Sequence, residues 1–106
     1  MNQKYEITDI VHPQYPWLHR IRALRDVRED VHAGDLGGFV QSEENLSQEG
    51  QCWVANNAVA AEESYISGDA IMWDYSCARG CAVISGKSRI GGEAIIEDHA
   101  IVTSGY

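Results

Sequence analysis

Cut every six residues from Val54, residues 54–106 read VANNAV, AAEESY, ISGDAI, MWDYSC, ARGCAV, ISGKSR, IGGEAI, IEDHAI and VTSGY, with no insertion. The first position of each hexad is apolar throughout: Val54, Ala60, Ile66, Met72, Ala78, Ile84, Ile90, Ile96 and Val102. The fifth is small, running Ala58, Ser64, Ala70, Ser76, Ala82, Ser88, Ala94 and Ala100 before Tyr106 ends the series. The third carries Asn56, Gly68, Asp74, Gly80, Gly86, Gly92 and Asp98, residue types that tolerate positive φ, with Glu62 and Ser104 as exceptions. A fixed phase over this length marks a repeat architecture, in which each unit buries its apolar side only against its neighbours.

Side chains alternate across a strand. An inward first position therefore puts the fifth position of the preceding hexad inward too, and sends the sixth and second positions outward. Each hexad is one short strand and one corner. Three successive hexads close one triangular coil, with aliphatic side chains on the inner faces and only small ones near the corners. Coils stacked about 4.8 Å apart satisfy the main chain between strands without any helix. An alternating antiparallel sheet would need longer strands and no phase of six. The repeat predicts an all-β fold, a parallel β-helix of three triangular coils.

Residues 1–47 lack the repeat. Tyr5–Ile10 and Leu18–Val27 are apolar-polar mixtures of strand length, with Pro13 and Pro16 marking a loop between them. Ala33-Gly34-Asp35-Leu36-Gly37-Gly38 reads as a turn leading into Phe39-Val40. A solenoid needs its first coil covered. Residues 1–47 are predicted to be that β-rich N-terminal cap, forming one structural domain with the β-helix of 48–106.

The 106 residues, 44% of them hydrophobic, suit a single domain. No run approaches the roughly 18 consecutive apolar residues that span a bilayer. Met1-Asn2-Gln3-Lys4-Tyr5-Glu6 does not begin as a secretory signal does, so a cytoplasmic protein without membrane contact is expected. A formal charge of -8 argues against direct nucleic-acid binding, which depends on Lys and Arg neutralising phosphates. Cys52, Cys77 and Cys81 make no CxxC pair, so neither a disulfide framework nor a standard zinc site is suggested.

The segment AGDLGGFVQSEENLSQEGQCWV, residues 33–54, together with RIRALRDV at 20–27, resembles the leading region of uncharacterised YdcK-type hexapeptide-repeat proteins of bacteria and prophages. The hexads that follow are similar to the broader left-handed β-helix class, which includes many acyltransferases. The left-handed coil is what that resemblance implies. Acyltransferases of the class use a histidine base, often with a protruding loop and a cleft between subunits, and a related carbonic anhydrase class binds zinc through three histidines at subunit boundaries. Here His99 is the one histidine on the coils, no loop interrupts the hexads, and His12, His19 and His32 lie in the cap. No catalytic residue, metal or other cofactor is predicted.

Stacking places each residue above the one three hexads earlier, so one corner carries Glu63, Cys81 and His99 in a column. A thiol beside an imidazole suggests an activated nucleophile. In a relay, however, the base lies between the nucleophile and the group that orients it, and here the cysteine is in the middle. Three exposed turn residues are the simpler reading. Asp69 and Lys87 stack at another corner as an expected exposed ion pair, and Ile90-Gly91-Gly92 lacks the GK[ST] and helix start of a phosphate loop.

Outward positions give Tyr65, Val83 and Ile101 on one face, Val59, Cys77 and Ile95 on the second, and Trp53, Ile71 and Trp73 on the third. Soluble monomers rarely expose contiguous apolar areas of that extent. The expectation is a non-enzymatic protein-binding or assembly module acting through flat faces, a homo-oligomer with a dimer favoured, whose protein partner the sequence does not identify. The expected protein-binding residues are Tyr65, Val83, Ile101, Trp53, Ile71 and Trp73, with Val102 and Tyr106 at an uncapped far end suited to end-to-end pairing. Two alternatives stand beside it. One is a phage-borne inhibitor that occludes a host defence protein, suggested by small size, acidity and the prophage resemblance. The other is an acyltransferase-like enzyme.

Ile84 occupies the first position of a central coil. Ile84→Asp is expected to abolish folding, because a buried unpaired carboxylate costs on the order of 5 kcal/mol. A thermal melt by circular dichroism with a midpoint within a few degrees of the parent would refute the phase.

Overall fold

A computed structural model describes residues 3–104. Three strands lead: β1 (Tyr5–Val11), β2 (His19–Ala23) and β3 (Leu36–Val40). A 3-10 turn at Glu43–Asn45 follows. Nine two-residue strands then succeed one another at the period of the hexads: β4 (Trp53–Val54), β5 (Val59–Ala60), β6 (Tyr65–Ile66), β7 (Ile71–Met72), β8 (Cys77–Ala78), β9 (Val83–Ile84), β10 (Arg89–Ile90), β11 (Ile95–Ile96) and β12 (Ile101–Val102). Each of β4 to β9 pairs in parallel with the strand three places on, giving the ladders β4-β7-β10, β5-β8-β11 and β6-β9-β12.

The solenoid starts earlier than the repeat does. Phe39 and Val40 of β3 pair in parallel with Val59 and Ala60, and Leu46 bridges Ile66. One face therefore stacks β3, β5, β8 and β11, and the solenoid makes about four turns where the hexads alone suggest three. β1, β2 and β3 form an antiparallel meander, with Tyr5 opposite Ala23 and His19 opposite Val40. The cap and one solenoid face are thus a single mixed sheet. No helix among the described residues is long and apolar enough to cross a membrane.

First-position side chains point inward as the period requires. Val54, Met72 and Ile90 form one buried column, Ala60, Ala78 and Ile96 a second beneath Val40, and Ile66, Ile84 and half-buried Val102 a third beneath Leu46. Fully burying each Ile or Val contributes about 1.5–3 kcal/mol. The fifth positions fill the corners. Ser64, Ser76 and Ser88 are buried there, and each hydroxyl donates to the carbonyl three residues back, at 2.8, 2.9 and 2.6 Å. Hydroxyls therefore alternate with alanines at no cost in unpaired polar groups.

Third-position corner residues from Asn56 to Asp98 take positive φ whatever their identity. Asn56, Asp74 and Asp98 do so at 54°, 58° and 62°, the glycines follow, and so does Glu62 at 59°, although its residue type marked it as an exception. Closure of the coil dictates that conformation, at a cost of about 1–2 kcal/mol for a residue with a Cβ. Part of this is offset by contacts down the corner: the Gly80 N–H donates to Glu62 Oε1 at 2.7 Å, and the Asp74 N–H to Asn56 Oδ1 at 3.0 Å.

The sequence reads Leu36-Gly37-Gly38 as part of a turn, but it is strand. A Cβ at Gly37 would lie 2.6 Å from the Val54 carbonyl oxygen and 2.8 Å from Ile21 Cγ1, and one at Gly38 would strike the Ala58 carbonyl oxygen. The glycine pair lets β3 lie flush on the first coil. β2 in turn ends at Ala23 rather than near Val27, because the following segment folds back, the Val27 N–H donating to the Val31 carbonyl at 2.9 Å and both valines entering the core.

Polar side chains bolt the cap down. Buried Asn45 accepts from the Gln41 and Ser42 N–H groups through Oδ1, and donates through Nδ2 to the Glu62 and Ser64 carbonyls at 3.0 and 2.9 Å. Arg20 donates to the carbonyls of Gly37 and Asn56 and to Asn57 Oδ1, each at 2.8 Å, with its guanidinium 4.3 Å from the Phe39 ring centre. Lys4 is buried, its ammonium donating to the Cys52 carbonyl at 2.8 Å and lying 3.1 Å from Cys52 Sγ. Burial lowers the Lys4 pKa from the ordinary lysine value, an effect the neighbouring Cys52 sulfur opposes.

Gly38→Ala is expected to destabilise the protein by about 3 kcal/mol or more, because the clash is with main chain that cannot yield. Gly34 also has positive φ but open space around a Cβ. Gly34→Ala should cost only about 1–2 kcal/mol. Urea unfolding of both variants tests the order, and equal costs would show that β3 is not seated flush.

Candidate functional site

The Glu63, Cys81 and His99 column forms as the period requires, with the cysteine in the middle. Cys81 Sγ lies 3.2 Å from Glu63 Oε1. That hydrogen bond, with some burial and the charges of Glu63 and Glu62, pushes the Cys81 pKa up. A nucleophilic cysteine needs the opposite shift. Cys77 is also raised, chiefly by burial. No group of three or more His, Cys, Asp or Glu among the described residues is placed to hold a metal ion.

Asp69 and Lys87 do not form the ion pair their stacking suggests. Asp69 Oδ1 instead accepts the Gln51 N–H at 3.3 Å. The described ion pairs of the coils and cap are Arg79 with Glu97, at 2.7 Å, Arg22 with Glu6, and the longer contacts Arg28–Asp30 and His32–Asp26. Those at the surface are screened by solvent and contribute little.

The cap overhangs two of the three faces and makes a groove on each. On the β4-β7-β10 face, Trp53 and Ile71 are covered, not outward and exposed as their positions suggest. The segment carrying Val31 and Leu36 lies over them, and Tyr5 packs edge-on against the Trp53 ring at 6.4 Å. Trp73 is half-buried and lies where a Cβ on Gly91 would strike its ring, with the Arg89 guanidinium 5.5 Å from the ring centre. A cavity of about 520 Å³ remains between Asp30, Asp35, Leu36, Trp53, Trp73 and Arg89. It continues past Arg28, Gln51, Asp69 and Lys87.

The second groove lies where the loop between β1 and β2 meets the β5-β8-β11 face. His12 packs on Phe39 at 4.7 Å and on Tyr15 at 5.0 Å, and Tyr15 on Trp17 at 5.5 Å. Leu18, Phe39 and Ala61 form a small buried cluster beneath them. Trp17, Tyr75 and Ile95 nevertheless stay 56%, 67% and 53% exposed around a cavity of about 420 Å³. Sequence reasoning missed Trp17 and Tyr75; Trp17 lies in the proline-marked loop and Tyr75 at a corner, so neither falls on an outward strand position.

Among the described residues the cap does not overhang the third face. Tyr65, Val83 and Ile101 stack in register, with Tyr65 and Ile101 exposed and Val83 half-buried. Val102 is half-buried and Tyr106 lies outside the described residues.

No family model matches the chain. Over 80 residues, 74% of its length, it is 36% identical to the uncharacterized acetyltransferase YdcK of Escherichia coli (strain K12). The match spans about a fifth of that protein, 19%. Together with the parallel solenoid, this similarity fits a YdcK-type hexapeptide-repeat protein.

Because the Glu63 carboxylate raises the Cys81 pKa, little Cys81 thiolate is present at pH 8 and alkylation by iodoacetamide should be slow. Glu63→Gln removes the charge, lets the pKa fall, and should speed the reaction several-fold. Peptide-resolved mass spectrometry reads the rate at this cysteine alone. An unchanged or slower rate would show that the thiol and carboxylate do not interact.

Proposed function

We propose that the chain is a non-enzymatic module that binds protein, and that its principal docking surface is the groove between the β1–β2 loop and the β5-β8-β11 face. The observation that carries this reading is the gathering of Tyr15, Trp17, Tyr75 and Ile95 around one concavity while all four stay exposed. Aromatic anchors around an apolar depression are the commonest source of binding energy at protein interfaces. Glu62 and Arg79 give the groove a charged rim. The Tyr65, Val83 and Ile101 face suits a second copy of the chain, which would make the module a homo-oligomer.

A photo-crosslinking residue in place of Tyr75 tests the reading in cells. A discrete protein adduct is expected, and it should disappear when Trp17→Ala is added. Adducts indistinguishable from those of a probe at exposed Glu44 would sink it.

A second reading, acetyl transfer, is favoured by the name of the E. coli relative. His99 is the histidine available on the coils, exposed at its corner. Release of coenzyme A from acetyl-coenzyme A in the presence of amine acceptors measures it. On the binding reading none is expected above the uncatalysed rate; turnover lost in a folded His99→Ala variant would establish the enzyme instead.

A further inference from the structure

We infer that the groove on the β4-β7-β10 face is a second, separate binding site, one for a small anion that carries a flat apolar ring. The inference begins with where the positive charge goes. The chain has 8 Lys and Arg against 16 Asp and Glu. Lys4 is buried on Cys52, Arg20 is bonded to main chain and Asn57, Arg22 pairs with Glu6 and Arg79 with Glu97. The other four are Arg25, Arg28, Lys87 and Arg89, and three of them line this one groove, where Arg28 is bonded to main chain and lies 3.9 Å from Asp30. In a protein of net charge -8 that convergence makes a local site for an anion.

The site is built rather than merely exposed. The Gln51 and Asp69 carbonyls accept from Arg28 Nη1 at 2.7 and 3.3 Å and so fix its guanidinium. Arg89 is oriented by the Trp73 ring, which lies over the bare backbone of Gly91. Of the carboxylates in the groove, Asp35 accepts the His32 N–H at 2.9 Å, Asp69 accepts the Gln51 N–H, and exposed Asp30 lies 3.9 Å from Arg28, with Glu29 at the margin. Lys87 and Arg89 have no carboxylate within ion-pair distance among the described residues.

The groove has two unlike ends joined by Arg89, which borders both. One end is lined by Leu36 and Trp73 over buried Trp53 and Ile71, together with Asp30, Asp35 and Asn56, and the other by Arg28, Lys87 and Arg89 with Gln51 and Asp69. A ligand that fills it carries a planar ring for the first and a phosphate or carboxylate for the second. A volume of about 520 Å³ at the Trp73 end accommodates a ring of one or two cycles.

Calorimetric titration of the whole chain with 1-naphthyl phosphate, 1-naphthoate, inorganic phosphate and neutral 1-naphthalenemethanol tests this. One or both aryl anions should bind, about tenfold or more tighter than either inorganic phosphate or the neutral alcohol. The tighter of the two aryl anions identifies the acid group. Arg89→Met and, separately, Lys87→Met should each weaken that binding by about tenfold with an unchanged thermal midpoint, since each removes one charge-assisted contact. The inference is overturned by failure of both aryl anions to bind at millimolar concentration, by inorganic phosphate binding as tightly as its aryl ester, or by full affinity in both folded variants.

Discussion

Everything in this protein depends on main-chain hydrogen bonds kept at one constant offset along the chain. The N–H groups of Trp53, Val59, Tyr65, Ile71, Cys77 and Val83 donate in turn to the carbonyls of Ala70, Ser76, Ala82, Ser88, Ala94 and Ala100, at 2.9–3.0 Å. A strand as short as these has no stability alone. Held between strands above and below at a fixed spacing, it satisfies its backbone as fully as a long strand does. Keeping that offset is what forces Glu62 into positive φ and what leaves room for only alanine and serine at the corners.

The cap works because it enters the same ladder instead of sitting on top of it. β3 supplies a parallel edge to β5, and the glycine pair brings it close enough to do so. Around this seam the contacts are polar, specific and fully paired: Asn45, Arg20 and Lys4 each bind atoms of the first coils. No buried side-chain nitrogen or oxygen lacks a partner among the described residues. Apolar packing alone would tolerate a slip of the cap along the solenoid. Directional hydrogen bonds to particular carbonyls do not.

The solenoid was legible because its rules are local: inward first positions, small fifth positions and turn-forming third positions all follow from a period of six. What escaped was set by contacts distant in sequence. Trp53 and Ile71 occupy outward positions, yet Leu36 and Val31, brought over them by the β2–β3 connection, cover them. Leu36-Gly37-Gly38 resembles a turn in isolation, because nothing local says that another strand presses against it. Asp69 and Lys87 do stack, but a backbone N–H nearer to Asp69 takes its carboxylate. Of the candidate surfaces, the Tyr65, Val83 and Ile101 column was readable from register. Neither groove was, since each needs the overhang of the cap to exist.

The mixed sheet, antiparallel from β1 to β3 and parallel thereafter, has a consequence for synthesis. A chain leaving the ribosome presents the β1–β2–β3 meander before any hexad, and the pairings of that meander join neighbours in sequence. Phe39 finds its partner only when Val59 has emerged, and from then on each new hexad meets the finished edge one coil behind it. Assembly can therefore run in the direction of translation, each turn templating the next without waiting for those still to come. The bolts of the cap close in the same order, Lys4 on Cys52 first, Arg20 on Asn57 next and Asn45 on Ser64 last, so the cap is fastened progressively as the first coil emerges.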